Sequence, residues 1–296
     1  MHQRRVGWKK LAVAVVAAVS VMGSAVACGS DSDSDTVKIG VADAAESYWT
    51  VFTKKAADEG ITVDLVNFTD YNQPNPALAE GELQLNEFQH MLYLATYNQK
   101  NDQKLVPIGA TAVYPLPLYS TKHTSVSQIP QGGSVVIPND PTNQARGLLV
   151  LQQAGLITLR NGGNGFSTIA DIDQAASKVK VTAVDAGQTA QSLDSVDGAI
   201  VNNNYATSAK LGEDEIIAKD DPNSDIAKPY INVFVARDQD KDNATYKKLV
   251  SIYHDPEVEA AVKKSLGDNG VLKNNDPAEL QQLTVDLQKQ VANNGG

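Results

Sequence analysis

Short runs of β-branched and apolar residues alternate with amphipathic segments along most of the chain, and this rhythm limits the possible fold more than any other feature. The runs TVKIGVAD (36–43), ITVDLVNF (61–68), KLVPIGATAVYPL (104–116), GGSVVIPND (132–140), KVKVTAVD (178–185), DGAIVNN (197–203) and YINVFVAR (230–237) read as strands. Between them, YWTVFTKKAADEG, EFQHMLYLATYNQK and ARGLLVLQQAG have helical spacing, the second of these helices beginning near Glu87. Such alternation predicts α/β layers with mainly parallel sheets. The rhythm runs twice, over 36–116 and again from Gly132 to about 228, with no internal repeat at sequence level; the tail from Asn243 is helical. Both cycles place polar turn residues just past strand ends, where open α/β sheets bind ligands. The expectation is two α/β lobes with a ligand cleft between them. Lobe 1 is 37–116 plus 233–296 and lobe 2 is 117–232, with crossings near Tyr114–Tyr119 and Tyr230–Val235 and the C-terminal helices packed on lobe 1.

The start of the chain fixes where this body resides. Arg4, Arg5, Lys9 and Lys10 precede the 17 uncharged, mostly apolar residues Leu11–Ala27, which read as an export signal over 1–27. The alternative is a single membrane-spanning helix, a length this run approaches. Cys28, the only cysteine, decides for the signal, because a lone cysteine in an exported chain has no internal disulfide partner. Small residues before it resemble the lipobox of bacterial lipoproteins, with Ala25 where leucine is usual, so Cys28 is the expected lipidation site. Residues 28–36, GSDSDSDT after the cysteine, read as a flexible tether. The leader holds four of the 25 Lys and Arg and none of the 35 Asp and Glu, leaving 21 basic against 35 acidic side chains beyond it. That acidic surplus argues against a nucleic-acid partner and suits a protein held outside the cytoplasm by a lipid on the cell membrane.

Several residues stand out for binding. In PNDPTNQARGLLVLQQAGL (138–156), Asp140 and Pro141 read as the cap and first position of a helix. If so, the amides of Thr142 and Asn143 point unpaired into the cleft, and with Arg146 they make a carboxylate clamp. The other reading of Arg146 is a surface arginine bonded to Asp140 or solvent. FQHMLY brings Phe88, His90 and Tyr93 together, either as a slot for an apolar side chain or as core aromatics with one satisfied histidine. Asn202, in the NNNY run before Tyr205, and Asn232, inside an apolar strand, are either ligand contacts or backbone caps.

The blocks DYNQPNPAL, NEFQHMLYL, VYPLPLYS, PNDPTNQARGLLVLQQAGLI, SLDSVDGAIVNNNYA and KPYINVFVAR resemble the signature stretches of the NlpA/MetQ family, in family order over nearly the whole chain after the leader. These are lipoprotein receptors of methionine-type ABC importers. The resemblance implies a two-lobed type II periplasmic-binding-protein fold. It implies that Arg146 binds a ligand α-carboxylate, that Asn202 and Asn232 bond the amino-acid backbone, and that Tyr71, Phe88, His90 and Tyr93 line the side-chain pocket. It further implies an ABC permease and its ATPase as partners and no cofactor. The chain departs from the family pattern in VADAAESYW, where Ala44–Tyr48 replaces a Gly-Pro-His type stretch, at Leu92, where proline is usual, and in Thr189–Ser195, which lacks a basic residue. An enzyme is disfavoured by the lack of a nucleophile elbow, phosphate loop or free catalytic cysteine. His90, His123 and His254 lie at no metal-pair spacing. The expected function is a lipid-anchored receptor for L-methionine, with a methionine-containing dipeptide, D-methionine, another apolar amino acid, or a non-transport envelope lipoprotein as alternatives.

Overall fold

A computed structural model describes residues 36–267 and 270–294. The export leader, Cys28 and nearly all of the tether lie outside the described residues. One five-stranded sheet has the order β2 (Val63–Asn67), β1 (Val37–Val41), β3 (Leu85–His90), β11 (Asn232–Arg237), β4 (Leu105–Ala110). The second has the order β10 (Ile216–Lys219), β6 (Pro117–Tyr119), β9 (Gly198–Ile200), β7 (Gly133–Pro138), β8 (Val179–Val184). A small ladder joins β12 (Val271–Leu272) to β5 (Ala112–Val113).

The expectation of mainly parallel sheets is corrected: both sheets are mixed. β1 pairs in parallel with β2 and β3, but β11 runs antiparallel to β3 and β4. In the second sheet β7 is parallel to β8 and β9, while β6 is antiparallel to β9 and β10. The reversed strands are those at the crossings. β6 enters the second sheet directly after β5, and β11 returns to the first sheet after β10 through a short 3-10 turn, Asp225–Tyr230, with no α-helical crossover to turn it parallel.

A second correction concerns the helix expected from about Glu87. Leu85–His90 is strand β3, and helix α3 (Met91–Asn101) starts only after it. β3 lies between β1 and β11 and is covered on both faces, so its side chains are buried without alternation. Its polar residues are held by an amide network. Asn75 Nδ2 donates to Gln89 Oε1 at 2.7 Å, Gln89 Nε2 donates to Asn75 Oδ1 at 2.6 Å and to Asn86 Oδ1 at 2.9 Å, and Asn86 Nδ2 donates to Asn75 Oδ1 at 3.0 Å. With every amide paired, the burial penalty of the polar groups is largely met.

Helix α1 (Ser47–Asp58) buries Tyr48, Trp49, Phe52 and Ala56, a stripe set by the helical period. Trp49, Phe52, Phe234 and Tyr253 interlock over one face of the first sheet, with centroids 5.3–6.5 Å apart. Helices α7 (Ala244–Tyr253) and α8 (Pro256–Leu266) close this cluster through Leu249, Val258 and Val262. The C-terminal α9 (Pro277–Asn294) covers the other face with Leu280, Leu287 and Val291 against Leu94 and Leu105. Helix α4 (Pro141–Gln153) lies on the second sheet, Leu148 and Leu151 packing with Ile137 and Ile200. α5 (Ala186–Thr189) and α6 (Asn203–Ala209) flank that sheet beside Leu193, Val201 and Ala206.

Candidate functional site

Helix α4 begins as its sequence dictates. Asp140 has an extended backbone and caps the helix, and Pro141 takes the first position, where no amide hydrogen is needed. The expected pair of free amides is corrected, because Asp140 itself occupies the helix start. Its Oδ1 accepts from the Asn143 backbone amide at 3.0 Å and from Thr142 Oγ1 at 3.0 Å. Asn143 Nδ2 also donates to both carboxylate oxygens, each at 3.1 Å.

Arg146 sits one turn further on and is 5% exposed, which removes the surface reading. Its Nε donates to Asp220 Oδ2 at 2.7 Å and its Nη2 donates to the Tyr114 carbonyl at 2.7 Å. The guanidinium carbon lies 4.2 Å from the centroid of the Tyr230 ring. Two of the five guanidinium N–H groups are thereby used to aim it, and the rest remain for a planar anion. Asp220 is fixed in turn, its Oδ1 accepting from the Leu116 amide at 2.7 Å.

One cavity collects Tyr71, Phe88, His90, Tyr93, Arg146, Asn202 and Asn232, enclosing about 670 Å³ of empty space, mouth included. His90 does not share a helical face with Tyr93 as the sequence suggested. It ends β3 and caps α3, its Nδ1 accepting from the Tyr93 amide at 3.1 Å. Burial, helped by the Arg146 charge, pushes its pKa down to about 3. The imidazole is therefore neutral, and with Nδ1 accepting, its proton sits on Nε2. That Nε2–H is buried and makes no full hydrogen bond, although the Asn143 side chain lies close enough to offset a little of the downward shift. Asn202 supplies the opposite group: its Nδ2 donates to Asn143 Oδ1 at 3.0 Å, leaving its Oδ1 buried as an unpaired acceptor. Asn232 faces His90 across the β11–β3 ladder, with its Nδ2 3.5 Å from the Tyr230 carbonyl.

The aromatic wall forms because β3 and α3 meet at His90 while the chain after β2 brings Tyr71 over them. Tyr71, Phe88 and Tyr93 pack with centroids 5.8–6.3 Å apart, and Tyr93 Oη donates to the Tyr71 carbonyl at 3.0 Å. The cavity is roofed from the second sheet. Tyr71 Oη donates to Asn204 Oδ1, Tyr205 Oη donates to the Thr69 carbonyl at 2.9 Å, and Asn204 Nδ2 donates to the Ala42 carbonyl at 3.3 Å. Chemically, the chamber offers N–H donors for a carboxylate (Arg146, His90), an acceptor for an ammonium group (Asn202) and an aromatic slot beside them.

Sequence reasoning missed Asp220, which is 74 residues from Arg146 and has no local signal. It also missed Asn204, although the NNNY run contains it, and the cavity-lining acids Asp43 and Glu87. Among the described residues, no group of His, Cys, Asp and Glu is arranged to hold a metal ion.

The family description NlpA lipoprotein matches residues 37–274. The chain is 38% identical over 241 residues to the probable D-methionine-binding lipoprotein MetQ of Haemophilus influenzae, covering 80% of this chain and 86% of that protein. Among solved structures, protein PG110 from Staphylococcus aureus superposes with a TM-score of 0.81 at 38% identity, over 85% of this chain and 99% of that one. A nutrient binding protein from Burkholderia cenocepacia bound to methionine gives 0.74 at 38% identity, over 80% and 99%.

Proposed function

The chain belongs to the NlpA lipoprotein family, and from that premise we propose that it is a lipid-anchored receptor that captures methionine for an ABC importer. It is a binding protein and not an enzyme. Lobes 37–116 plus 233–296 and 117–232 close on the ligand, which favours the closed form by its differential affinity for it. The observation that carries this reading is the pairing of unspent groups in one buried chamber. Arg146 and His90 Nε2 offer donors, and Asn202 Oδ1 offers an acceptor. A zwitterionic amino-acid head answers both. The ligand α-carboxylate lies against Arg146 and its amino group against the asparagines Asn202 and Asn232. The thioether chain lies among Tyr71, Phe88, His90 and Tyr93, where sulfur–aromatic contacts each contribute about 0.3–1.5 kcal/mol.

Acylation of Cys28 holds the receptor on the outer face of the cell membrane, beside the permease and its ATPase. Relatives named for D-methionine and a structural neighbour bound to methionine support the ligand class. The direct test is to denature the purified full chain and identify what it releases by chiral mass spectrometry. Released methionine supports the reading and fixes its hand. Release of a ligand without a carboxylate would refute it.

A further inference from the structure

Asn202 stands at the N-cap of α6, yet its side chain makes no capping bond to that helix. Asparagine is favoured at this position because its side-chain oxygen takes an orphan amide of the first turn. Here the side chain turns to α4 instead. Its Nδ2 donates to Asn143 Oδ1 at 3.0 Å, and its Oδ1 stays buried and unpaired at the chamber. The two helices begin side by side because β7 and β9, the strands before them, are parallel neighbours in the second sheet.

An amide has a donor end and an acceptor end of nearly the same shape, so the end that faces a ligand is set by what holds the other. The hold begins at Asp140, whose side-chain contacts all bring donors. The Asn143 backbone amide and Thr142 Oγ1 reach its Oδ1 at 3.0 Å, and Asn143 Nδ2 reaches both of its oxygens at 3.1 Å. A carboxylate only accepts, so Asn143 turns its Nδ2 toward Asp140 and its Oδ1 away. Asn143 is 2% exposed, and the donor its Oδ1 needs comes from Asn202 Nδ2. Asn202 is then left to present its Oδ1 to the chamber. His90 favours the same order, since the Asn143 side chain lies close enough to support a proton on its ring, but it makes no full hydrogen bond and is the weaker hold. Burial raises the Asp140 pKa, and the bonds from Asn143 and Thr142 act the other way, toward the carboxylate.

We propose that Asp140 is a positioning residue for ligand selection: through Asn143 it sets the polarity of the Asn202 amide, so that the chamber meets the ligand α-substituent with an acceptor and favours an ammonium over a hydroxyl. This rests on the reading that the ligand amino group lies against Asn202. An ammonium only donates, whereas a hydroxyl both donates and accepts, so the ammonium alone depends on which end of Asn202 it meets. Asp140 is not part of the chamber lining and acts through the two amides.

The test is calorimetry at neutral pH on the full chain in detergent, freed of ligand by unfolding and refolding. The probes are L-methionine and its α-hydroxy acid analogue, which keeps the carboxylate and the thioether but carries a hydroxyl in place of the ammonium. Asp140→Ser keeps a helix cap but has no second oxygen to hold the Asn143 amide. Asn143→Ala leaves the cap in place and removes the link, so it carries the same comparison should the serine variant not fold. L-methionine should bind the wild type more tightly than the hydroxy acid, and the gap should close in each variant confirmed folded by circular dichroism. Affinity for L-methionine should fall at least about tenfold, about 1.4 kcal/mol, while that for the hydroxy acid stays within about threefold. The double variant should lose no more than Asn143→Ala alone, because both residues act along one chain. Equal losses for the two probes would make Asp140 a helix cap and nothing more, and would overturn the proposal. So would an unchanged methionine affinity in folded Asp140→Ser; either outcome leaves the methionine reading intact. A wild-type protein that binds neither probe would remove that reading, and the positioning role with it.

Discussion

Replacing Arg146 with alanine separates the structural and ligand-binding roles of one side chain. The guanidinium is 5% exposed and makes two 2.7 Å hydrogen bonds besides its stacking on Tyr230. Removing one partner of a buried ion pair costs about 3–5 kcal/mol. Asp220 keeps the Leu116 amide, and its side chain is 22% exposed, so water relieves part of the loss. The cation–π contact adds about 1 kcal/mol. The ligand-free protein should therefore lose about 3 kcal/mol, read from urea unfolding followed by circular dichroism. Ligand affinity should fall separately. Loss of the partner of a buried carboxylate costs about 2–5 kcal/mol, roughly 30- to 4,000-fold in Kd. Calorimetry on protein confirmed to be folded reads this second number. A variant that loses the predicted stability yet binds ligand within about threefold of wild type would refute the clamp. Arg146 would then be a pillar for Asp220 and the Tyr114 carbonyl.

Asp220→Ala leaves a buried guanidinium without its counter-ion, so the empty protein should melt several degrees lower, while a carboxylate ligand should raise Tm by more than in wild type because it supplies the missing charge. Glu87 holds its proton in the folded state and gives it up at ordinary acidity when unfolded, so stability should decline as pH rises from about 4.5 to about 8. Glu87→Gln should flatten that slope in pH-dependent urea unfolding. His90, held neutral by burial, should contribute no binding change between about pH 5 and 8, as checked by comparing the affinity profile with that of His90→Gln. Tyr71→Phe removes the bond from Tyr71 Oη to Asn204 across the cleft and should speed ligand release several-fold in stopped-flow fluorescence.

The sequence made some parts of this site plain and concealed others, for physical reasons. The start of α4 was legible because an Asp cap and a proline at the first position are local rules, and both hold. The fate of its amides was not, since Asp140 satisfies groups that a ligand would otherwise claim. The stretch from Glu87 has helical spacing in the sequence, whereas tertiary pairing of Asn86 and Gln89 with Asn75, and of Glu87 with Thr111, buries these residues in a central strand. Phe88, His90 and Tyr93 line one cavity through a strand-to-helix junction rather than through helical spacing. Asp220 was beyond reach because it follows β10, 74 residues after Arg146, and the two meet only once the second sheet has assembled. The reversed strands β6 and β11 follow from the crossings between the sheets, which strand–helix alternation alone does not encode.

The central claim is that Arg146 anchors the carboxylate of a methionine-type ligand. The measurement that tests it most directly is calorimetric titration of the ligand-free full chain with L-methionine, repeated on Arg146→Ala. Saturable binding at one site with sub-micromolar affinity, lost in the folded variant, is the result this account predicts. A wild-type protein that is folded and binds no methionine, or a variant that binds it undiminished, would contradict it.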